Sequence, residues 1–289
     1  MALMLDLIMK IGIMLFMVGS LGGVGLRVTP RDVLLPLKHT RFLVISFVTS
    51  WVVCPMVGVL VLRLVSLDQP YAAGLTLLSL APCAPFAPAV VRIAKGDGSY
   101  LAAFMVLSAV TTVMFMPVGV PLLLGVSVNP WNIARPLMIF VLLPLAIGMT
   151  VSARGPHVSA WIRPRLEKLT AAAALAMFVP IIQLFGPGIV DAIGSHAIAA
   201  QILYLVAITS VTHALGAALS PGQQTVVTLG IATRNLGAAL APISAVAKDQ
   251  RGVVMIAIGA IATLLWSAVI ARYLAGRVAP RPEAPGLGV

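Results

Sequence analysis

The run Gly230-Ile-Ala-Thr233-Arg234-Asn235-Leu-Gly237 carries one permanent cation in an otherwise apolar setting. A guanidinium stays charged at any accessible pH and offers five N–H donors. At the centre of a bilayer it costs at least ~2.5–3.5 kcal/mol, so its charge must have a use there. None of the eight Asp and Glu residues falls deep inside an apolar segment to neutralise it. Two uses fit: holding a negatively charged solute, and tying together backbone carbonyls freed by a broken helix. Thr233 and Asn235 add a hydroxyl and an amide at the same place. The second cluster is Ala81-Pro82-Cys-Ala-Pro85-Phe-Ala-Pro88. Each proline removes an N–H and clashes with the carbonyl four residues back. Three of them spaced three apart cannot stay helical, and the opened chain bares backbone groups that can bind a solute. Pro85, Pro88 and, a little further on, Arg92 are therefore candidate contacts, although Arg92 can also extend its stem to the membrane surface.

Little else in the chain points to bond-making chemistry. His213, among Thr209, Ser210 and Thr212, fits a hydrogen-bonded core histidine better than a proton carrier. The four histidines are scattered, and Cys54 and Cys83 lie in apolar context, so neither metal-ligand spacing nor a disulfide framework is present. No paired carboxylates, His-Glu metal motif or Ser-His arrangement occurs in an apolar segment. A Gly-x-x-x-x-Gly-Lys-[Ser/Thr] loop is also missing. An enzyme, an ATP-driven pump, a metal site and a cofactor are all unexpected.

The elements that position these residues follow from composition. Of 289 residues, 60% are hydrophobic and 9% charged, and the mean hydropathy is +1.08. Soluble domains carry about 25% charged residues, so this chain has too little polar surface to cover itself in water. The net charge of +11 suits the basic loops of a polytopic membrane protein better than a nucleic-acid partner. An all-α membrane protein with about nine transmembrane helices is expected. Charge, Pro and Gly divide it into spans at about 5–26, 41–64, 71–94, 99–124, 133–151, 169–185, 197–219, 221–241 and 253–274. The longest polar stretch, Ser152 to Lys168, reads as a loop. The N-terminus reads as a first span rather than a cleaved signal, and the Pro-rich 278–289 as a disordered cytoplasmic tail.

Nine spans put the two termini on opposite faces. One face then collects thirteen Lys and Arg against five on the other. The positive-inside rule places the N-terminus outside and the C-terminus in the cytoplasm of a cell (inner) membrane. Spans three and eight are the two with interruptions, and paired interruptions point to the midplane site of a transporter built from inverted repeats. Residues 1–277 are thus one transmembrane domain, with repeat one at about 5–124 and repeat two at about 131–276. Spans three and eight are expected to cross around a solute cavity.

The same two segments make the chain similar to the bile acid:sodium symporter family. That family carries Pro-Gly-Gly-x-x-Ser-Asn leading to Ala-Lys-Gly-Asp, and later Glu-x-Gly-x-x-Asn. Here the first becomes Pro82-Cys-Ala-Pro-Phe-Ala87-Pro88, leading to Ala94-Lys95-Gly96-Asp97; the second becomes Gly230 to Asn235. Met17 to Leu26 followed by Thr29-Pro-Arg-Asp32, and the placement of Pro55 and Pro117, also match. The resemblance covers nearly the whole chain, less the extra first helix of ten-helix members. It implies transport of a small organic anion by alternating access, and Asn235 matches an asparagine that lies near substrate in the family; Arg234, Thr233, Pro85, Pro88 and Arg92 are the candidate contacts that the residues themselves add. The departures from the family's pattern lead to the expectation that sodium is not held at the family's positions. Aligned without gaps, those are Ala87, Pro88, Leu101, Met105, Gly230, Arg234 and Ser50, which have lost nearly all the side-chain oxygens a hard cation needs. The alternatives are a proton-coupled or uniport carrier of a neutral or zwitterionic solute, and a non-transporting membrane sensor or scaffold. Partners are the substrate and the lipid bilayer.

Overall fold

A computed structural model describes residues 2–246 and 249–277; the expected tail at 278–289 lies outside them. Apolar runs in lipid must satisfy their backbone groups internally, and the described residues do so as helices joined by short turns. α1 runs Ala2–Gly25 and α2 is the short Pro30–Leu37. α3 spans Thr40–Leu64. α4 (Gln69–Ser79) and α5 (Ala87–Ile93) are the halves of an interrupted segment. There follow α6 (Gly98–Leu124), α7 (Pro130–Arg154), α8 (Pro156–Asp191) and α9 (Ala197–Ala218). α10 (Pro221–Ala232) and α11 (Leu236–Leu240) form the second interrupted segment. The single turn α12 (Ile243–Val246) precedes α13 (Arg251–Arg277).

Among the described residues, six helices are long and apolar enough to cross a membrane, within α1, α3, α6, α7, α9 and α13. The other three expected spans correspond to the two interrupted segments and to α8. Local chemistry sets the boundaries. Pro30, Pro130, Pro156 and Pro221 each open a helix at a position that needs no N–H partner. Asp97 accepts from the Ser99 N–H at 2.9 Å to start α6, and Asn129 accepts from the Trp131 N–H at 2.9 Å to start α7. Inside α3 and α7 a proline is accommodated by a wide π turn. The Cys54 N–H bonds back to Thr49 just before Pro55, and the Leu143 N–H to Met138 just before Pro144. One extra residue in the turn moves the ring off the carbonyl it would strike.

The structure departs from the sequence reading between Ser152 and Lys168. The chain turns only at Gly155, and α8 then runs unbroken to Asp191, through Gly186-Pro187-Gly188 as well. Its first turns mix charged and apolar residues and are held by side-chain contacts along the helix. Arg165 stacks on Trp161 with its guanidinium carbon 3.8 Å from the ring centroid, and Arg163 approaches Glu167 at 3.7 Å one turn on.

α1, α7 and α8 pack as one slab. Gly25 and Gly148 lie back to back, where a Cβ on Gly25 would come within 2.9 Å of the Gly148 Cα; the Ser159 hydroxyl donates to the Leu26 carbonyl at 2.6 Å. The remaining long helices surround the interrupted pair. Residues 73–79 of α4 and 225–232 of α10 are buried without exception. Two ties recur across this second body: Trp51 of α3 donates to Thr111 of α6 at 2.9 Å, and Trp266 of α13 donates to Thr209 of α9 at 2.9 Å.

Candidate functional site

The two interruptions meet. The prolines end α4, and Leu80 leaves the helix; Cys83 takes a left-handed φ of 62° before α5 restarts at Ala87. In the second segment Thr233 is extended at φ −92°, ψ 130°, and Asn235 caps α11 by accepting from the Ala238 N–H at 3.1 Å. Pro82 and Arg234 face each other as a single antiparallel bridge. The Cys83 N–H donates to the Thr233 carbonyl at 3.0 Å, and the Asn235 N–H to the Ala81 carbonyl at 2.9 Å. Each break therefore supplies partners that the other has lost, which lets open backbone persist inside a dry protein. The Thr233 hydroxyl adds to the junction, donating to the Gly230 carbonyl at 3.0 Å and accepting from the Ala84 N–H at 3.3 Å.

Arg234 is buried in this junction with 2% of its surface exposed. Its Nε donates to the Ile231 carbonyl at 3.2 Å, and one terminal nitrogen reaches the Leu78 and Ser79 carbonyls at 3.5 Å. The other lies 3.2 Å from the Cys54 thiol, and the Tyr204 ring centroid is 5.8 Å from the guanidinium carbon. The cation thus sits at the negative end of α4, where freed carbonyls and the helix dipole favour positive charge.

Beside the junction are two adjoining cavities of about 270 and 260 Å³ that share Val24, Arg27, Pro88 and Arg92. The first opens toward α6 at Leu101 and Met105, and the second toward α8 at Glu167 and Thr170. Arg27 donates to Glu167 at 2.7 Å. The Arg92 guanidinium has no ion pair or hydrogen bond among the described residues, and the residue lines both cavities. The crevice therefore has apolar walls and more positive than negative charge. Pro85 lines its second cavity. Thr233, Arg234 and Asn235 line neither cavity and are buried in the junction.

Sequence reasoning missed Arg27 and Glu167. Arg27 reads as one loop charge among many. The signal for Glu167 is that it is the one acid in the basic stretch Ser152–Lys168.

The positions that the resemblance aligns with the family's sodium ligands carry mostly apolar side chains here, with Ser50 keeping a hydroxyl. Ala87 is buried, and Pro88, Leu101 and Met105 present hydrocarbon and thioether to the first cavity. At Gly230, a Cβ would press into the Phe104 ring, 2.7 Å from its Cδ1 and closer still to Cε1. The ring fills the space a carboxylate side chain would need. Arg234 brings a fixed positive charge to the same junction. Among the described residues no three His, Cys, Asp or Glu side chains converge on a metal-sized site. His213 stands apart, with Nδ1 3.3 Å from the Thr228 hydroxyl.

A larger cavity of about 780 Å³ opens elsewhere, lined by Asp68, Gln69, Asp249 and Arg251. Arg251 bridges Asp68 and Asp249, each at 2.8 Å, and its hydrogen bonds hold the Asp249 carboxyl below the usual carboxylate range.

Residues 11–191 match the model of the Sodium Bile acid symporter family. The match takes in the first interruption and Arg27, Arg92 and Glu167, and stops before the second interruption. A relative in rice, Oryza sativa subsp. japonica, described as a probable sodium/metabolite cotransporter, BASS3, chloroplastic, is 26% identical over 151 residues. That alignment covers 50% of this chain and 36% of the relative. The chain therefore spans well under two thirds of that protein's length.

Proposed function

Because the chain belongs to the sodium bile acid symporter family, we propose that it is a secondary carrier of small organic anions. It works by alternating access around the crossing of the two interrupted segments. The observation that carries this reading is Arg92, an unpaired guanidinium facing both halves of an apolar-walled crevice against the broken backbone. A carboxylate, sulfonate or phosphate on an otherwise apolar body suits that chemistry, since a charge-assisted bond to arginine is short and strong. Arg27, held by Glu167, is the second cation within reach. Pro85 and Pro88 shape the wall, while Thr233, Arg234 and Asn235 hold the crossing behind the broken backbone and add its positive potential.

Alternating access needs two bodies that move past one another. The slab of α1, α7 and α8, locked by Gly25 against Gly148, is one; the helices around the crossing are the other. The crevice lies where they meet. Nine spans in two inverted repeats are supported by three paired features. The interruptions fall in α4/α5 and α10/α11. The Trp–Thr tie joins α3 to α6 and again α9 to α13. Finally, Ala94-Lys-Gly-Asp97 precedes α6 and Ala247-Lys-Asp249 precedes α13, with each aspartate accepting from the N–H two residues on, at 2.9 and 2.8 Å. An odd offset in span number inverts the second set relative to the first, as this architecture requires.

Transport is not coupled to sodium at the family's positions in this reading, because nearly all the side-chain oxygens are gone, Phe104 fills the space at Gly230 and Arg234 repels a cation there. The test is binding and uptake by purified protein in liposomes, using the organic acid that most raises its melting temperature. Arg92→Gln is expected to weaken binding of that acid roughly ten- to hundredfold, the value of a charge-assisted hydrogen bond, with unchanged melting of the free protein. Undiminished binding by the variant would remove Arg92 from the site.

A further inference from the structure

The linker between α1 and α3 carries a surface that the transport reading leaves unused. α2 spans Pro30–Leu37, and the Lys38 N–H still bonds back to Leu34. Arg31, Leu34, Leu35 and Lys38 fall at i, i+3, i+4 and i+7, one stripe of a helix. All four are exposed, each leucine to 58%, and with Leu37 they line a shallow cavity of about 540 Å³. The opposite face is already used: Val33 and Pro36 are buried, Val33 against Val28 and Ala103 of α6. α2 is therefore pinned on one side and presents a cation–Leu–Leu–cation stripe on the other.

Three observations decide what covers that stripe. First, α2 joins two helices that are each able to cross a membrane, which end at Gly25 and begin at Thr40, so it lies at a bilayer boundary. Second, two exposed leucines there gain from contact with acyl chains, and amphipathic helices lie in that boundary with the apolar side inward. Third, the charge is complementary to an acidic headgroup. Arg31 and Lys38 flank the leucines and Arg41 is exposed just beyond. The nearby acid is engaged elsewhere: Asp32 accepts from the Thr29 N–H at 2.8 Å and the Thr29 hydroxyl at 2.7 Å. Those bonds hold its carboxyl below the usual carboxylate range.

We propose that α2 is a binding site for an anionic phospholipid. Arg31 and Lys38 take the headgroup phosphate, and Leu34 and Leu35 take the start of the acyl chains. The site is separate from the crevice, and the proposal stands whether or not the crevice carries an organic anion. Its consequence is mechanical. A lipid held on α2 anchors the link between α1 of the slab and α3 of the other body, so lipid charge sets how freely those bodies move.

The test is native mass spectrometry of the full chain in neutral detergent, titrated with phosphatidylglycerol or phosphatidylcholine of the same acyl composition. Phosphatidylglycerol is expected to bind more tightly. The double variant Arg31→Gln/Lys38→Gln should lose about fivefold in phosphatidylglycerol affinity for each cation removed, with phosphatidylcholine unchanged. Leu34→Ser/Leu35→Ser should weaken both lipids alike. A photoreactive phosphatidylglycerol on the unmodified chain should crosslink to the peptide 30–38, which keeps the test independent of variant folding. Equal lipid preference in wild type and the Arg31/Lys38 variant, or crosslinks confined to other helices, would overturn the proposal. So would full displacement by millimolar inorganic phosphate, which marks a simple anion site. Dissociation of a protein dimer by the leucine variant, with lipid binding untouched, would show that a second copy covers the stripe instead.

Discussion

Arg234 shows how one side chain can answer two expectations at once. Its type and its place in an apolar run required a partner for the charge, and both a solute and freed carbonyls met that requirement. The structure gives it the carbonyls of Ile231, Leu78 and Ser79, so its first task is to hold the crossing together. Truncation to alanine would leave buried acceptors unmet at about 1–3 kcal/mol each, together with a cavity between α4 and α10. Arg234→Ala is therefore expected to lower the melting temperature strongly and reduce the folded protein recovered from membranes, whereas Arg92→Gln does neither. Equal melting of Arg234→Ala and wild type would contradict the tie. Arg92 was singled out by its spacing after the prolines, as a side chain that could either reach the membrane surface or face the crevice, and it lines both cavities. Arg27 and Glu167 were not legible, because their meeting depends on α1 lying against α8, a contact between residues 140 apart in sequence. Phe104 was illegible for the same reason: nothing local says that its ring fills the space over Gly230.

At the scale of elements, hydropathy and prolines were a good guide wherever lipid dictates the answer. The second span was expected at 41–64 and α3 is Thr40–Leu64; both interruptions fall where the prolines and the polar run placed them. The reading failed at α8, since charge density marks where a helix meets water, not where it stops. Arg163 and Glu167 extend the helix instead of ending it. That correction sharpens a test of orientation. A 36-residue helix is about 54 Å long, well beyond a hydrocarbon core of about 30 Å, and in the nine-span reading its two ends face opposite sides. Cys54 and Cys83 are buried and give no background to surface labelling. Arg163→Cys is expected to label only from the cytoplasm and Asp191→Cys only from outside. The reverse pattern would invert the topology drawn from the thirteen-to-five charge bias.

For the whole molecule, the central question is what supplies the positive charge at the crossing. In a sodium-coupled carrier a mobile cation comes and goes there, and its gradient does work on the substrate. Here Arg234 is covalently fixed at the junction, and neither Phe104 over Gly230 nor the side chains of Ala87, Pro88, Leu101 and Met105 offer oxygen to an ion. A fixed charge cannot couple transport to a cation gradient. The decisive measurement is uptake of the bound organic acid into proteoliposomes when external sodium is replaced by potassium or choline at constant ionic strength. The fixed-cation account predicts the same initial rate in all three. A steep dependence on sodium in the unmodified protein would contradict it.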